Sequence, residues 1–435
     1  MSDQTHDPAA TSWVAAANTV ETDFPIQNLP LGVFRSRGGA PRVGIAIGDA
    51  VLDVRVASES SLLDSLSKPA HAALLATSLD AYLALPPFEW TSIRRALFAI
   101  LVRGGPGEAV HRKGAPLLLA MTDIELGLPA TIGDYTDFYA SIHHATNVGM
   151  MLRPDNPLLP NYKWMPIGYH GRASSIVASD TPIKRPIGQT RDADDAPPAV
   201  GPTRRLDYEV EVGFWIGGSN ALGATIPIGE ASARIAGLCL LNDWSARDVQ
   251  TWEYQPLGPF LAKNFASTIS PWLVTSDALL PFRTAQAPRP DGDPAPLPYL
   301  YDLSDQTNGA YDIALECWIS TTAMRTAGHA PFQISRSNLQ HLYWTPAQLV
   351  AHHTMNGCNL RPGDLLGSGT VSGPEPSMRS CLLERTWRGS EPLQLPTGET
   401  RRWVEDGDEI IMRARGDRPG TRAIGFGACS GMVFA

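Results

Sequence analysis

Between Leu206 and Ile216 the chain alternates with a period of two. Tyr208, Val210, Val212, Phe214 and Ile216 take one face, and Glu209 and Glu211 share the other. This predicts a strand with its apolar face on the core. A strand with its polar face in water fits the pattern as well, but same-face glutamates repel unless a cation or strong donors lie between them. The apolar run from Leu238 to Leu241 predicts a second, buried strand that leads straight into a polar stretch, residues 242–250, and on through Trp252, Glu253 and Tyr254. If that stretch coils from Asp243, then Asp243, Arg247, Gln250 and Tyr254 lie within roughly 60° of one another on one helix face. Asp243 would otherwise serve as a helix N-cap ahead of a solvated face.

Upstream, short β-like runs punctuated by turn residues (32–35, 42–47 and 50–54) suit a small barrel. From 61 to 102 the apolar positions Leu74, Leu75, Leu79, Tyr82 and Leu83, then 93–102, fall at helical spacing. Residues 1–22 are small and polar and read as a loose arm. The glycines at 104, 105 and 107 make a loop and no phosphate-binding motif, since no Gly-Lys-Ser/Thr follows. A domain boundary falls near Gly127-Leu128-Pro129, giving an arm at 1–22, an N-terminal domain at 23–128 and a C-terminal domain at 129–435. The second domain reads as mainly β, with proline-dense surface stretches at 180–202 and 288–298.

Composition sharpens this in three respects. Charged residues are only 18% of the chain, with 39 glycines and 37 prolines, which favours short strands and turns over a helical bundle. A net charge of −9 disfavours nucleic acid and anionic membrane as partners. The five cysteines, at 239, 317, 358, 381 and 429, form no CxxC pair, so neither a disulfide framework nor a structural zinc site is expected. The absence of a basic-then-apolar leader or a spanning apolar run adds the expectation of a reducing cytoplasm.

Candidate chemistry centres on carboxylates. Asp134 could cap a short helix that sets Asp137 and His144, seven apart, on one face, while His143 points elsewhere. Asp137, Glu209, Glu211 and Asp243 then offer four oxygen donors from three separated elements. Such a set suits a hard cation, Mg²⁺ or Ca²⁺, rather than zinc.

Longer strings carry a resemblance. They are 129–139 (PATIGDYTDFY), 144–149 (HATNVG), 168–175 (GYHGRASS), 242–248 (NDWSARD) with Trp252-Glu253-Tyr254, and 356–366 (NGCNLRPGDLL). From about Asp23 onward the chain resembles the fumarylacetoacetate hydrolase family. The resemblance implies a mainly β (α+β) homodimer, with a small SH3-like N-terminal barrel and a larger β-roll or β-sandwich domain holding the active site. It implies that Asp137, Glu209, Glu211 and Asp243 ligate the metal. Lys263 and Ser267 would border a second, Mg²⁺-type position, where the family usually has threonine in place of Ser267. Tyr139, Arg153, Gln250, Tyr254 and Thr370 would contact a small β-diketo dicarboxylate. His144 would be the base, oriented by Glu384, with Arg247, Gln250 and Lys263 stabilising charge. The implied reaction is hydrolysis of the carbon–carbon bond of 4-fumarylacetoacetate to fumarate and acetoacetate, the last step of tyrosine and phenylalanine breakdown. The alternatives are a hydrolase or decarboxylase of another, acylpyruvate-like oxo-acid, and a metal-dependent binding module. Without the resemblance, Glu384 reads as a strand residue facing water and Thr370 as part of a glycine-rich turn.

Overall fold

The structure is a computed structural model that describes residues 3–36, 38–191 and 195–435. It mixes helices with many strands in open sheets. Among the described residues the largest sheet includes, in chain order, the antiparallel strands Leu31–Ser36, Arg42–Ile47 and Ala50–Asp53, with Leu118–Ala120 at its edge beside the last of them. Leu31 and Gly32 of its first strand pair with Leu273 and Trp272, so the N-terminal strands form one end of a sheet shared with the C-terminal part. The sheet continues through Trp272–Thr275, Ile235–Asp243, Val210–Ile216, Leu365–Gly367, Tyr135–Phe138 and Gly168–Gly171. A second sheet runs in the order Phe332–Asn338, Ala314–Ser320, Glu409–Gly416, Ile424–Phe434 and Ile183–Lys184.

The period-two reading of 208–216 locates the core but misjudges the other face. Val210, Val212, Phe214 and Ile216 enter the C-terminal apolar cluster, together with Leu238 and Leu240. Trp215, on the face of Glu209 and Glu211, packs instead with Cys239, Leu241, Leu273 and the N-terminal apolar residues. Every residue of Val210–Ile216 is buried, so that face looks into protein rather than water. Burial on both sides makes the position of the two glutamates costly unless they are neutralised.

The helical stretch breaks into Lys68–Leu74, Asp80–Leu83 and Pro87–Leu101. The last carries proline in its first turn and buries Trp90, Ile93, Leu97, Phe98 and Leu101 along one stripe. Pro106 likewise opens a helix, Pro106–Arg112, in place of the continuing loop. Against the reading as a loose arm, Thr5 and Ser12 are tied to the Pro87–Leu101 helix. Arg94 Nε donates to Thr5 Oγ1 at 2.9 Å and Ser12 Oγ to Leu101 O at 2.7 Å, with Thr5 and Ser12 fully buried. Residues 1–2, and 192–194 of the proline-rich stretch, fall outside the described residues.

Three local assignments differ from expectation. Residues 135–138 are a strand, as aromatic and β-branched side chains favour, and the helix after it, Ile142–Leu152, is capped by Ser141 and not by Asp134. Asp243 ends a strand, where it pairs with Ser267; the helix begins only at Arg247 and runs to Glu253. The sheet ladder claims Asp243 before a cap can form. Glu384 sits in the short helix Leu382–Arg385, fully buried rather than facing water.

Ser141 shows what holds the first of these in place. Its hydroxyl accepts from His144 N at 3.3 Å and donates to Ser372 O at 2.9 Å, both buried. Ser141→Ala removes the cap and strands a buried carbonyl. The expected loss is about 1–3 kcal/mol of unfolding free energy, read as a lower denaturant midpoint at unchanged m.

Candidate active site

Strand register brings the acids together. Asp137 pairs with Gly367 in a parallel ladder, and Gly367 pairs with Gly213, two residues past Glu211. Glu211 in turn pairs with Leu241, two residues before Asp243. Carboxylate oxygens of Asp137, Glu211 and Asp243 lie within 4.8 Å of one another, all buried. Gly367 makes room for this. A Cβ there would stand 2.7 Å from Asp137 Oδ1, 3.0 Å from Tyr135 Oη and 3.2 Å from Glu211 Oε2.

Such a cluster is electrostatically expensive. At an effective dielectric of about 20, ionised oxygens that close repel by at least about 3 kcal/mol per pair, and three pairs approach the net stability of a typical domain. Burial, and then the neighbouring Asp243, push Asp137 up to about 8. Burial with Asp137, Glu209 and Asp243 pushes Glu211 well above its usual range, and burial raises Asp243 against the pull of Lys263. Asp137 Oδ1 and Glu211 Oε1 are buried with no hydrogen-bond partner. Two orphaned acceptors in an all-oxygen set fit a hard divalent cation.

Glu209, expected as a fourth ligand, lies beside this trio and is held by cations. Arg247 Nη2 donates to its Oε1 at 2.8 Å, and Lys263 Nζ bonds its Oε2 while donating to Asp243 Oδ2 at 2.6 Å. Burial opposes ionisation of Glu209, but Lys263, Arg247 and His144 outweigh it and lower its pKa. Ser267 Oγ donates to Asp243 Oδ1 at 2.9 Å. Gln250, one turn along the 247–253 helix, accepts from Arg247 Nη1 at 3.1 Å.

On the other side of Glu209 stands the buried imidazole of His144. Its Nε2 is 3.9 Å from Glu209 Oε1, and its Nδ1 is 2.6 Å from Glu384 Oε2. Burial would raise the Glu384 pKa, yet His144, Asn147 Nδ2 at 2.8 Å and Ser372 Oγ at 2.8 Å hold it down to about 2. Glu384 is therefore an acceptor that fixes the proton on Nδ1 and leaves Nε2 toward the acids.

The remaining expected residues surround this pair. The Tyr139 ring meets His144 edge-on at 5.3 Å between centroids. Thr370 is buried beside Gly369, whose N–H donates to Glu211 Oε2 at 3.1 Å. Arg153 caps the C-terminus of the His144 helix; its Nε is buried without a partner, and its charge acts on the Tyr139 phenol. Tyr254 caps the end of the 247–253 helix, half-buried, and among the described residues no hydrogen bond ties its phenol to the cluster. Sequence reasoning passed over Tyr169, whose hydroxyl donates to Asp243 Oδ2 at 3.2 Å. It also passed over Asn147, whose i+3 spacing from His144 could have revealed it.

Residues 134–433 match the family described as "Fumarylacetoacetate (FAA) hydrolase C-terminal", and residues 27–129 match "Fumarylacetoacetase N-terminal". The chain belongs to the fumarylacetoacetate hydrolase family. Within the family it is 46% identical to the fumarylacetoacetase of Bos taurus over 427 residues, covering 95% of this chain and 97% of that relative. To the fumarylacetoacetase of Caenorhabditis elegans it is 48% identical over 423 residues, with the same coverage. The human fumarylacetoacetase is 46% identical over 420 residues, again at 95% and 97%. A solved fumarylacetoacetate hydrolase from Exiguobacterium antarcticum shares the fold, with a TM-score of 0.50 at 17% identity, covering 94% of this chain and 99% of that one.

Proposed function

We propose that this chain hydrolyses the carbon–carbon bond of 4-fumarylacetoacetate, releasing fumarate and acetoacetate, which is the last step of tyrosine and phenylalanine breakdown. The observation that carries the reading is the convergence of Asp137, Glu211 and Asp243 within 4.8 Å, beside an imidazole held at 2.6 Å by a buried carboxylate. Near-full-length identity to fumarylacetoacetases supports the choice of substrate.

Asp137, Glu211 and Asp243, with Glu209 adjacent, would hold Mg²⁺ or Ca²⁺, which supplies Lewis-acid polarisation of the diketone oxygens. The protein's own groups do the rest. His144 Nε2 takes a proton from water, and the hydroxide adds to the carbonyl carbon on the fumaryl side. Glu384 stabilises the imidazolium that forms and keeps the ring from turning. Lys263, Arg247 and Gln250 direct donors at the oxygens that gain charge. The bond to the neighbouring methylene carbon then breaks, and its electron pair leaves on acetoacetate as the enolate. The proton held at Nε2 passes to that carbon, so water is divided between the two products. Arg153, Tyr139, Tyr254 and Thr370 grip the substrate and its carboxylates.

The SH3-like form of the N-terminal barrel, the β-roll form of the catalytic domain, the homodimer and the cytoplasmic setting belong to the same reading. No helix among the described residues is long and apolar enough to cross a membrane. The test is turnover by the purified protein with Mg²⁺ or Ca²⁺ present, fumarylacetoacetate and an acylpyruvate being offered in parallel. Equimolar fumarate and acetoacetate, with kcat/KM for the acylpyruvate at least about 10²-fold lower, is the expected result. Preference for the acylpyruvate contradicts the reading, as does ligand capture without product.

A further inference from the structure

Asp137 and His144 stand on adjacent elements, but Glu384, the partner of the imidazole, comes from a short helix far along the chain from every acid of the cluster. One buried side chain ties that helix to the residues around the acids. Asp207 pairs with Ser245 in a two-residue ladder and is wholly inaccessible. Its Oδ1 accepts from Leu382 N at 2.7 Å and from Tyr208 N at 2.9 Å. Its Oδ2 accepts from Leu383 N at 2.9 Å and from Arg247 Nε at 2.9 Å. Leu382 and Leu383 open the helix that carries Glu384, and Arg247 is one of the two cations on Glu209, with Lys263. A single carboxylate thus anchors the carrier of the base's partner and the guanidinium that faces the acids.

Four donors, one of them a guanidinium, require two anionic oxygens. An amide in their place would keep one acceptor and turn an N–H toward Arg247 or toward the backbone. We propose that Asp207 is a positioning residue for hydrolysis: it touches neither substrate nor ion, and sets Glu384 and Arg247 in mutual register. The proposal rests on the hydrolase reading above.

The experiment compares Asp207→Asn, Arg247→Lys and the double variant, with metal loaded, in fumarylacetoacetate turnover. Arg247→Lys keeps the positive charge but has no Nε for Asp207. Misplacement of about 1 Å costs about 10²-fold, so Asp207→Asn is expected to lower kcat by about 30-fold or more, with KM within about threefold. Residues acting as a unit do not add, so the double variant should fall within about threefold of the worse single one. Three results overturn the proposal: kcat for Asp207→Asn within about threefold of the unmodified chain, losses that multiply, or a loss confined to KM. Failure of both Asp207→Asn and Asp207→Glu to fold also overturns it, because the carboxylate then serves the fold alone. Absence of turnover by the unmodified chain overturns the hydrolase reading itself, and is recognised before any variant is measured.

Discussion

His144→Ala lowers kcat on fumarylacetoacetate by about 10³-fold while the divalent ion stays bound. The expectation follows from where the imidazole stands. It is buried, its Nδ1 is engaged by Glu384 at 2.6 Å, and its Nε2 faces the acids, 3.9 Å from Glu209. The ring is close to the acids without belonging to the trio that would hold the ion, so removing it should take away the base and leave the metal affinity nearly intact. Glu384→Gln is expected to cost about 10²-fold, because an amide cannot offset the charge on the imidazolium. Single-turnover kinetics with the metal content measured in the same sample checks both. Nearly full turnover by His144→Ala would assign the base elsewhere.

A second large effect concerns metal and pH together. The folded-state pKa of Asp137 is raised from 3.8 to about 8, and Glu211 and Asp243 are raised as well. For an acid shifted upward, the stabilising contribution is complete below the unfolded value and is lost as pH rises through the folded one. The metal-free protein should therefore lose several kcal/mol of stability between about pH 4 and pH 8. A divalent ion binds only the deprotonated trio, so its stabilising effect should grow across the same window. Added Mg²⁺ or Ca²⁺ is expected to raise the melting temperature by about 5 °C or more at pH 8 and by little near pH 5. A metal effect that is flat with pH would mean that the three carboxylates are not what the ion meets.

Much of the site was legible in the sequence, and the misreadings share a cause. The alternation reads the strand Val210–Ile216 because strand periodicity is local, but the strand begins one residue past Glu209, which lies beside the trio that includes Glu211. What covers the Glu211 face is not local, so Trp215 beneath the N-terminal residues could not be read from it. Chemistry singles out Asp137 and Asp243, but spacing alone puts both on helices. Their true positions depend on ladders to Gly367 and Ser267, far away along the chain. Spacing arguments see only one element at a time, and this cluster is made by four neighbouring strands. The same limit hid Asp207, whose partners lie 40 and 175 positions away, and Gly367, whose missing side chain is the space the acids occupy.

Hydrolysis as described above requires a divalent ion where those acids meet. Crystals grown with Mn²⁺ or Ca²⁺ and measured for anomalous scattering give the answer directly. One strong peak bonded to Asp137, Glu211 and Asp243 at about 2.0–2.6 Å, next to the His144 imidazole, is the result expected here. Density that is empty between these carboxylates at saturating metal, or a peak bound elsewhere, would contradict it.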